Sequence, residues 1–200
     1  MTAASELEFA GLTAIVTGGG AGIGAATIRA LQARGAATAA LDLDPSGAPE
    51  GALRIQVDVT DTAAVRAAVD RAAEELGGID IVINNAGIGA QGEVDANDDA
   101  EWARVLDVNV VSVARVTTAA LPHLRRSEAA AVVNTASIAS VLGLPDRVLY
   151  SASKGAVQSM TLAMAADWVA DGIRVNAVVP GTANTPWIGR LLEKADDPEA

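Results

Sequence analysis

Short runs of aliphatic and β-branched residues alternate along this chain with longer Ala-rich segments of helical period. That alternation constrains the fold more than any other feature. Leu12–Thr17 reads as a strand, and Ile23–Arg34 as a helix that stops at Gly35. Ala36–Asp42 and Leu53–Val59 read as the second and third strands. Thr60 then reads as the cap of a helix running through Leu76 to the stop signal Gly77-Gly78. Ile79–Asn84 is the fourth predicted strand, and Asp99–Arg126 is mostly helical with a break expected near Asn109. Ala131–Thr135, a long helix over Val148–Ala170 and a strand over Ile173–Val179 complete the pattern, which Pro180-Gly181 closes. Strands and helices in this order build βαβ units, giving an α/β fold with a parallel sheet covered by helices on both faces, three layers in all. The strands lack polar alternation, as expected when both faces are buried. No repeat, linker or low-complexity tract interrupts the pattern, so one domain over residues 1–200 is expected.

Composition removes several function classes. Half the residues are hydrophobic but only 2% are aromatic, which predicts an aliphatic core with close helix–sheet approach. A net charge of -11 opposes nucleic-acid phosphates and anionic membrane surfaces. Without cysteine there are no disulfides or thiolate metal sites, and the single His123 makes no histidine cluster, so no metal is expected. Met1–Glu8 has neither the basic nor the apolar region of a signal peptide, and no apolar run reads as a membrane span. A cytoplasmic location is the expectation.

The first strand is followed by Thr17-Gly18-Gly19-Gly20-Ala21-Gly22-Ile23-Gly24. A glycine-rich turn at a strand–helix junction lets backbone approach a pyrophosphate, with the helix N-terminus offering N–H groups and positive dipole. A merely flexible turn is the competing reading, and the position at the first junction favours the nucleotide. Gly18, Gly20, Gly22, Ile23 and Gly24 are the candidate contacts. The spacing of Gly18, Gly22 and Gly24 is G-x-x-x-G-x-G rather than G-x-G-x-x-G. Asp42 ends the second strand 18 residues after Gly24, where a carboxylate can accept both hydroxyls of an adenosine ribose. The same carboxylate repels a 2′-phosphate by about 4 kcal/mol at 4 Å and an effective dielectric of 20. No Lys or Arg stands in the loop or directly after Asp42 to offset this. The residues therefore point to NAD rather than NADP. A turn-forming aspartate is the alternative, and Asp44 competes for the role.

The chain has one tyrosine, Tyr150, and Lys154 lies four positions after it. On a helix the two share a face, so the ammonium can sit near the phenol and favour its ionised form. A free phenol titrates near 10, so proton transfer near neutrality needs such help. Taken alone, a Y-x-x-x-K spacing is equally a stray tyrosine and a surface lysine.

Together these motifs resemble the short-chain dehydrogenase/reductase family, from about Leu12 to Trp187. The resemblance implies a doubly wound, Rossmann-type sheet. It assigns an adenine contact to Asp58-Val59 and a cofactor-lining segment to Asn84-Asn85-Ala86-Gly87, with Asn85, Ala86 and Gly87 as contacts. It matches Pro180-Gly181-x-x-x-Thr185 to the nicotinamide end, adding Ala183, and gives Tyr150 and Lys154 cofactor contacts as well. The implied catalytic group is Asn109, Ser137, Tyr150 and Lys154. Ser137 stands 13 residues before Tyr150, while Ser140 is a decoy. Tyr150 would act as acid/base, Ser137 would orient the substrate oxygen, Lys154 would also hold the nicotinamide ribose, and Asn109 would position a relay water. Ser137 alone reads as a strand-end cap and Asn109 alone as a helix irregularity.

Arg147, three residues before Tyr150, can share its face and grip a carboxylate bidentately. An exposed helix-end arginine is the equal alternative. Gln91, Trp187 and Arg190 are further pocket candidates. The Gly143–Tyr150 and Pro180–Pro186 stretches resemble a branch that includes 3-hydroxybutyrate and L-fucose dehydrogenases. The expected partner is thus a small alcohol or ketone, with hydroxy acids, sugars and sugar acids as the class. The resemblance also suggests a homo-oligomer, tetramer or dimer, paired through the two long helices. Relative to the family, a lid and a last C-terminal strand are not visible after Trp187. The alternatives are a catalytically idle NAD-binding regulatory protein and an epimerase or dehydratase using the same Tyr–Lys pair.

Overall fold

In the computed structural model, which describes residues 8–183, β1 (Thr13–Thr17) is buried along its whole length. It pairs in parallel with β2 (Ala37–Asp42), Ile15 opposite Ala39, and with β4 (Ile81–Asn84), Ile15 opposite Val82. β3 (Leu53–Gln56) extends the sheet beyond β2, while β5 (Ala131–Thr135) and β6 (Arg174–Val178) extend it beyond β4. The strand order is β3-β2-β1-β4-β5-β6, all parallel. The chain thus steps outward from β1, returns, and steps outward on the other side. This is the doubly wound Rossmann-type order, and it opens a crevice at the C-terminal ends of β1 and β4.

Strand periodicity of two sorts β1 between two cores. Ala14 and Val16 meet Ile28 and Leu31 of α1 (Gly22–Gln32) together with Ala40, Ile81 and Ile83. Ile15 faces the other way, where Leu41, Val82 and Val132 pack with Val65 and Val69 of α2 (Thr62–Leu76). Val116, Ala120 and Leu124 of α4 (Ser112–Leu124) join that cluster. α5 (Val148–Asp167) packs beside it through Val157, against Val113 and Ala136. The largest fully buried side chains are all Ile, Leu and Val, each worth about 1.5–3 kcal/mol of burial.

Several boundaries differ from expectation. The cap of α2 is Asp61, whose carboxylate accepts from Ala63 and Ala64 N–H, whereas Thr60 is occupied with Asp58. Both residues can cap, and the engagement of Thr60 with Asp58 leaves the role to Asp61. β3 ends at Gln56 rather than Val59, and α5 ends at Asp167, followed by a 3₁₀ turn over Val169–Asp171. The predicted break near Asn109 is instead a π turn, Asp107–Val111, joining α3 (Asp99–Leu106) to α4. The joined run Asp99–Leu124 is long and apolar enough to cross a membrane, contrary to the sequence reading. Its Val105, Val113, Val116, Ala120 and Leu124 are buried, so one face of the run packs into the core of this fold. β6 also departs from two-sided burial: Val175 is buried while Arg174, Asn176 and Val178 are exposed among the described residues.

Candidate active site

The glycine loop is shaped by contacts with three other segments. A Cβ on Gly24 would stand 2.0 Å from Gly18 O, so only glycine lets the loop fold onto the first turn of α1. No side chain caps α1, which leaves its N-terminus to the loop. Gly20 has a different task from the expected ligand contact. A Cβ there would meet Asp44 O at 2.3 Å, and its N–H donates to Asp42 Oδ2 at 2.9 Å. Thr17 Oγ1 accepts from the N–H groups of Asn85 and Ala86, at 2.9 and 3.0 Å. Asn85 Nδ2 returns bonds to Thr17 O and Gly18 O. The ends of β1 and β4 are thereby tied into one wall.

Asp42 accepts from Gly20 N–H on Oδ2 and from Asp44 N–H on Oδ1, leaving further acceptor capacity on both oxygens. Its rival Asp44 is turned to Ser46, whose hydrogen bonds hold the Asp44 carboxyl below its usual range. Asp58 accepts from Thr60 N–H and Oγ1, which likewise lowers its pKa. Asp58 lies outside the cleft lining, whereas Val59 is part of it.

At the other end stand the residues of α5 and β5. Lys154 is 5% exposed, donates to Thr135 O at 2.8 Å, and lies 5.9 Å from the centroid of the Tyr150 ring. Desolvation lowers its pKa from 10.5 to about 8, so it remains mostly charged at neutrality. Tyr150 packs with Ala90, Val105 and Leu149. Ser137 caps the 3₁₀ turn Ile138–Ser140 by accepting from Ala139 N–H at 3.2 Å, and also lines the cleft. The expected cap and the expected site residue are the same group, because accepting leaves its O–H able to donate. Ser140 donates to Ser137 O and does not line the cleft. Asn109 is 1% exposed and lies outside the cleft lining, bonding Ile88 and Ser153.

Among the substrate candidates, Arg147 lines the cleft and is anchored by a 3.3 Å bond to Ala90 O. Its loop is pinned by the bond from Gly92 N–H to Asp146 O, with Asp146 at φ 54°. Gln91 lies outside the lining, its carbonyl accepting from Asn97. Thr185, Trp187 and Arg190 fall outside the described residues.

These groups border one cleft of about 610 Å³. Of the predicted residues, Gly18, Gly22, Ile23, Asp42, Val59, Asn85, Ala86, Gly87, Ser137, Arg147, Tyr150, Lys154, Pro180, Gly181 and Ala183 line it. Gly20, Gly24, Asp58, Asn109 and Gln91 do not. Sequence reasoning missed the apolar walls Leu41, Leu43, Ile88 and Leu144, and the carbonyl of Thr135. Backbone groups carry no residue-type signal, but Thr17 could have been found as the residue opening the glycine motif. The residues fit a nicotinamide dinucleotide: an uncapped helix start and glycine turn lie midway, a carboxylate at one end, and a cation–phenol pair at the other. Among the described residues, no cluster of metal-ligating side chains occurs.

The family model described as short chain dehydrogenase matches residues 12–196. A cis-4-hydroxycyclohexanecarboxylate dehydrogenase of Sinomonas cyclohexanicum is 39% identical, covering 92% of this chain and 78% of its own. An L-fucose dehydrogenase of Mus musculus is 34% identical over 98% of this chain and 74% of its own. The solved structure of an aldohexose dehydrogenase from Thermoplasma acidophilum superposes with a TM-score of 0.90 at 30% identity, covering 96% of this chain and 75% of that one. The relatives are alcohol and sugar dehydrogenases, and the site has a cleft and reactive groups suited to that chemistry. This chain belongs to the short-chain dehydrogenase/reductase family of alcohol oxidoreductases.

Proposed function

We propose that the protein interconverts a secondary alcohol and its ketone, with NAD as hydride acceptor and NADH as donor in the reverse direction. The observation that carries this is the joint placement of Asp42, the glycine loop, Ser137, Tyr150 and Lys154 around one cleft. The bound cofactor supplies the two-electron acceptor for the carbinol hydride. Gly18, Gly22, Ile23 and the Asn85–Gly87 segment hold its middle, Asp42 and Val59 its adenosine end, and Pro180, Gly181 and Ala183 its other end. Thr185, in the same motif, belongs to this reading. Asp42 supports NAD over NADP, since Arg147 and Lys154, the lining cations among the described residues, lie at the opposite end.

Ser137 donates to the substrate oxygen and turns it toward Tyr150. Tyr150 takes the hydroxyl proton as the C–H bond gives up its hydride, and returns it in the reverse direction. The ammonium of Lys154 stabilises the negative charge that develops on the phenol oxygen. Arg147 has donors beyond its bond to Ala90 O and marks the side of the cleft where a substrate carboxylate sits. The substrate class is therefore a hydroxy acid or sugar acid, which agrees with the carboxylate in the name of one relative. A cytoplasmic homo-oligomer, with α5 and its exposed Leu162 as a subunit contact, completes the reading.

The test is NADH absorbance with a panel of hydroxy acids, sugars and sugar acids, comparing NAD with NADP. Tyr150→Phe should abolish turnover while retaining NAD binding. Full activity in that variant would refute the mechanism, and a clear NADP preference would refute the role of Asp42. Arg147→Ala should raise KM for acidic substrates alone. NAD binding without turnover of any alcohol would favour the idle regulatory reading.

A further inference from the structure

Ser153 lies in α5 between Tyr150 and Lys154 and is 0% exposed. Its hydroxyl donates to Tyr150 O at 2.7 Å, and Oγ accepts from Asn109 Nδ2 at 3.0 Å. The polarity of that hydroxyl matters. Because its one proton goes to the helix carbonyl, it can only accept from Asn109. Asn109 must therefore turn its NH₂ toward α5.

The rest of the amide follows from that orientation. Nδ2 also donates to Ile88 O at 2.9 Å, and Oδ1 accepts from Ile88 N–H at 2.8 Å. Both Nδ2 protons thus have partners, and the N–H and C=O of Ile88 are gripped by one side chain. Ile88 lines the cleft. A Cβ built on neighbouring Gly87 would stand 3.2 Å from Asn109 Oδ1 and 3.4 Å from Lys154 Nζ. The amide oxygen and the ammonium therefore border the same small space. An amide turned the other way would present NH₂ toward that cation and leave the Ile88 N–H without its acceptor. The π turn Asp107–Val111 places Asn109 in this buried position, and Ser153 reads which way its amide points.

We propose that Ser153 is a positioning residue: it orients the Asn109 amide and so joins the Tyr150–Lys154 turn of α5 to the Ile88 wall of the cleft. The proposal rests on the oxidoreductase reading above, with Tyr150 and Lys154 in the reaction. Ser153 touches neither substrate nor cofactor and acts through Asn109.

The test compares Ser153→Ala and Ser153→Cys, alone and with Asn109→Ala, using NAD and cis-4-hydroxycyclohexanecarboxylate as probes. Cysteine fills the space but is a weak acceptor, so it separates hydrogen bonding from packing. Both single variants should lower kcat roughly tenfold with KM for NAD changed less than about twofold. In the Asn109→Ala background, Ser153→Ala should cost less than about twofold more. Full activity in Ser153→Cys, or an equal loss with and without Asn109, assigns a packing role and overturns the proposal. Tyr150→Phe in the same assay tests the underlying reading separately. Amide hydrogen exchange, which needs no turnover, decides the matter if the probe is not oxidised. The Ile88 amide should exchange roughly tenfold faster in both Ser153 variants, with α2 amides unchanged. Unchanged exchange at Ile88 overturns the proposal.

Discussion

Replacing Lys154 by methionine should remove a stretch of alkaline stabilisation that the buried ammonium imposes on this fold. The side chain is 5% exposed, and desolvation lowers its pKa from 10.5 to about 8. Below about pH 8 the group is charged in both states, and the fold carries the full cost of burying it. Between about 8 and 10.5 the unfolded chain holds the proton that the folded chain has lost, so stability rises with pH. Above 10.5 both states are neutral and the rise ends. The gap between 10.5 and about 8, at about 1.4 kcal/mol per pH unit, amounts to about 3 kcal/mol. Urea unfolding at fixed protein concentration, followed by tryptophan fluorescence, measures it at several pH values from 7 to about 11. Both proteins carry Tyr150→Phe, which removes the only tyrosine, so the phenol does not titrate in this window. The Lys154→Met variant also loses the bond to Thr135 O; any change in that bond on deprotonation is already part of the pKa difference, and the remainder is a constant offset. The stability of the protein that keeps Lys154, relative to the Lys154→Met variant, should climb by about 3 kcal/mol across the window. A difference that stays flat with pH would refute the reasoning, because it would mean that Lys154 titrates alike in both states.

Two further substitutions test the frame around the cleft. Gly24→Ala places a Cβ 2.0 Å from Gly18 O, and backbone cannot yield as a flexible side chain would. It should cost about 2 kcal/mol of stability in urea unfolding and weaken NADH binding at least tenfold by fluorescence titration. Asp61→Ala removes the acceptor for Ala63 and Ala64 N–H at the start of α2. A loss of about 1 kcal/mol is expected, with cofactor affinity unchanged because Asp61 lies outside the cleft lining.

Much of the fold is legible in single residues and their spacing. Gly77 stops α2 at φ 86°, as its position predicts, because a left-handed C-cap favours the residue without a Cβ. The alternation of strands and helices, and the glycine turn at the first junction, are properties of neighbouring residues. The choice between Asp61 and Thr60 is not local in the same way. Either side chain can cap, and the turn after β3 decides by engaging Thr60 with Asp58. Gly20 illustrates the same limit within the candidate site. A pattern of glycines suggests backbone approach to a ligand, yet the atom crowding Gly20 is the carbonyl of Asp44. Membrane compatibility is likewise undecidable from composition, since the Asp99–Leu124 run passes by length and hydropathy and yet packs one face into the core.

The sequence by itself determined the element types, the parallel winding and the candidate chemistry, because periodicity, caps and the Tyr150–Lys154 spacing act within a few residues of the chain. The tertiary structure decided what each group touches. It set Lys154 on the carbonyl of Thr135, Asp42 on the N–H of Gly20, and Asn109 between Ile88 and Ser153. Those partners come from segments distant in sequence. Their meeting depends on how the sheet is wound and how the helices pack upon it, which no local pattern encodes.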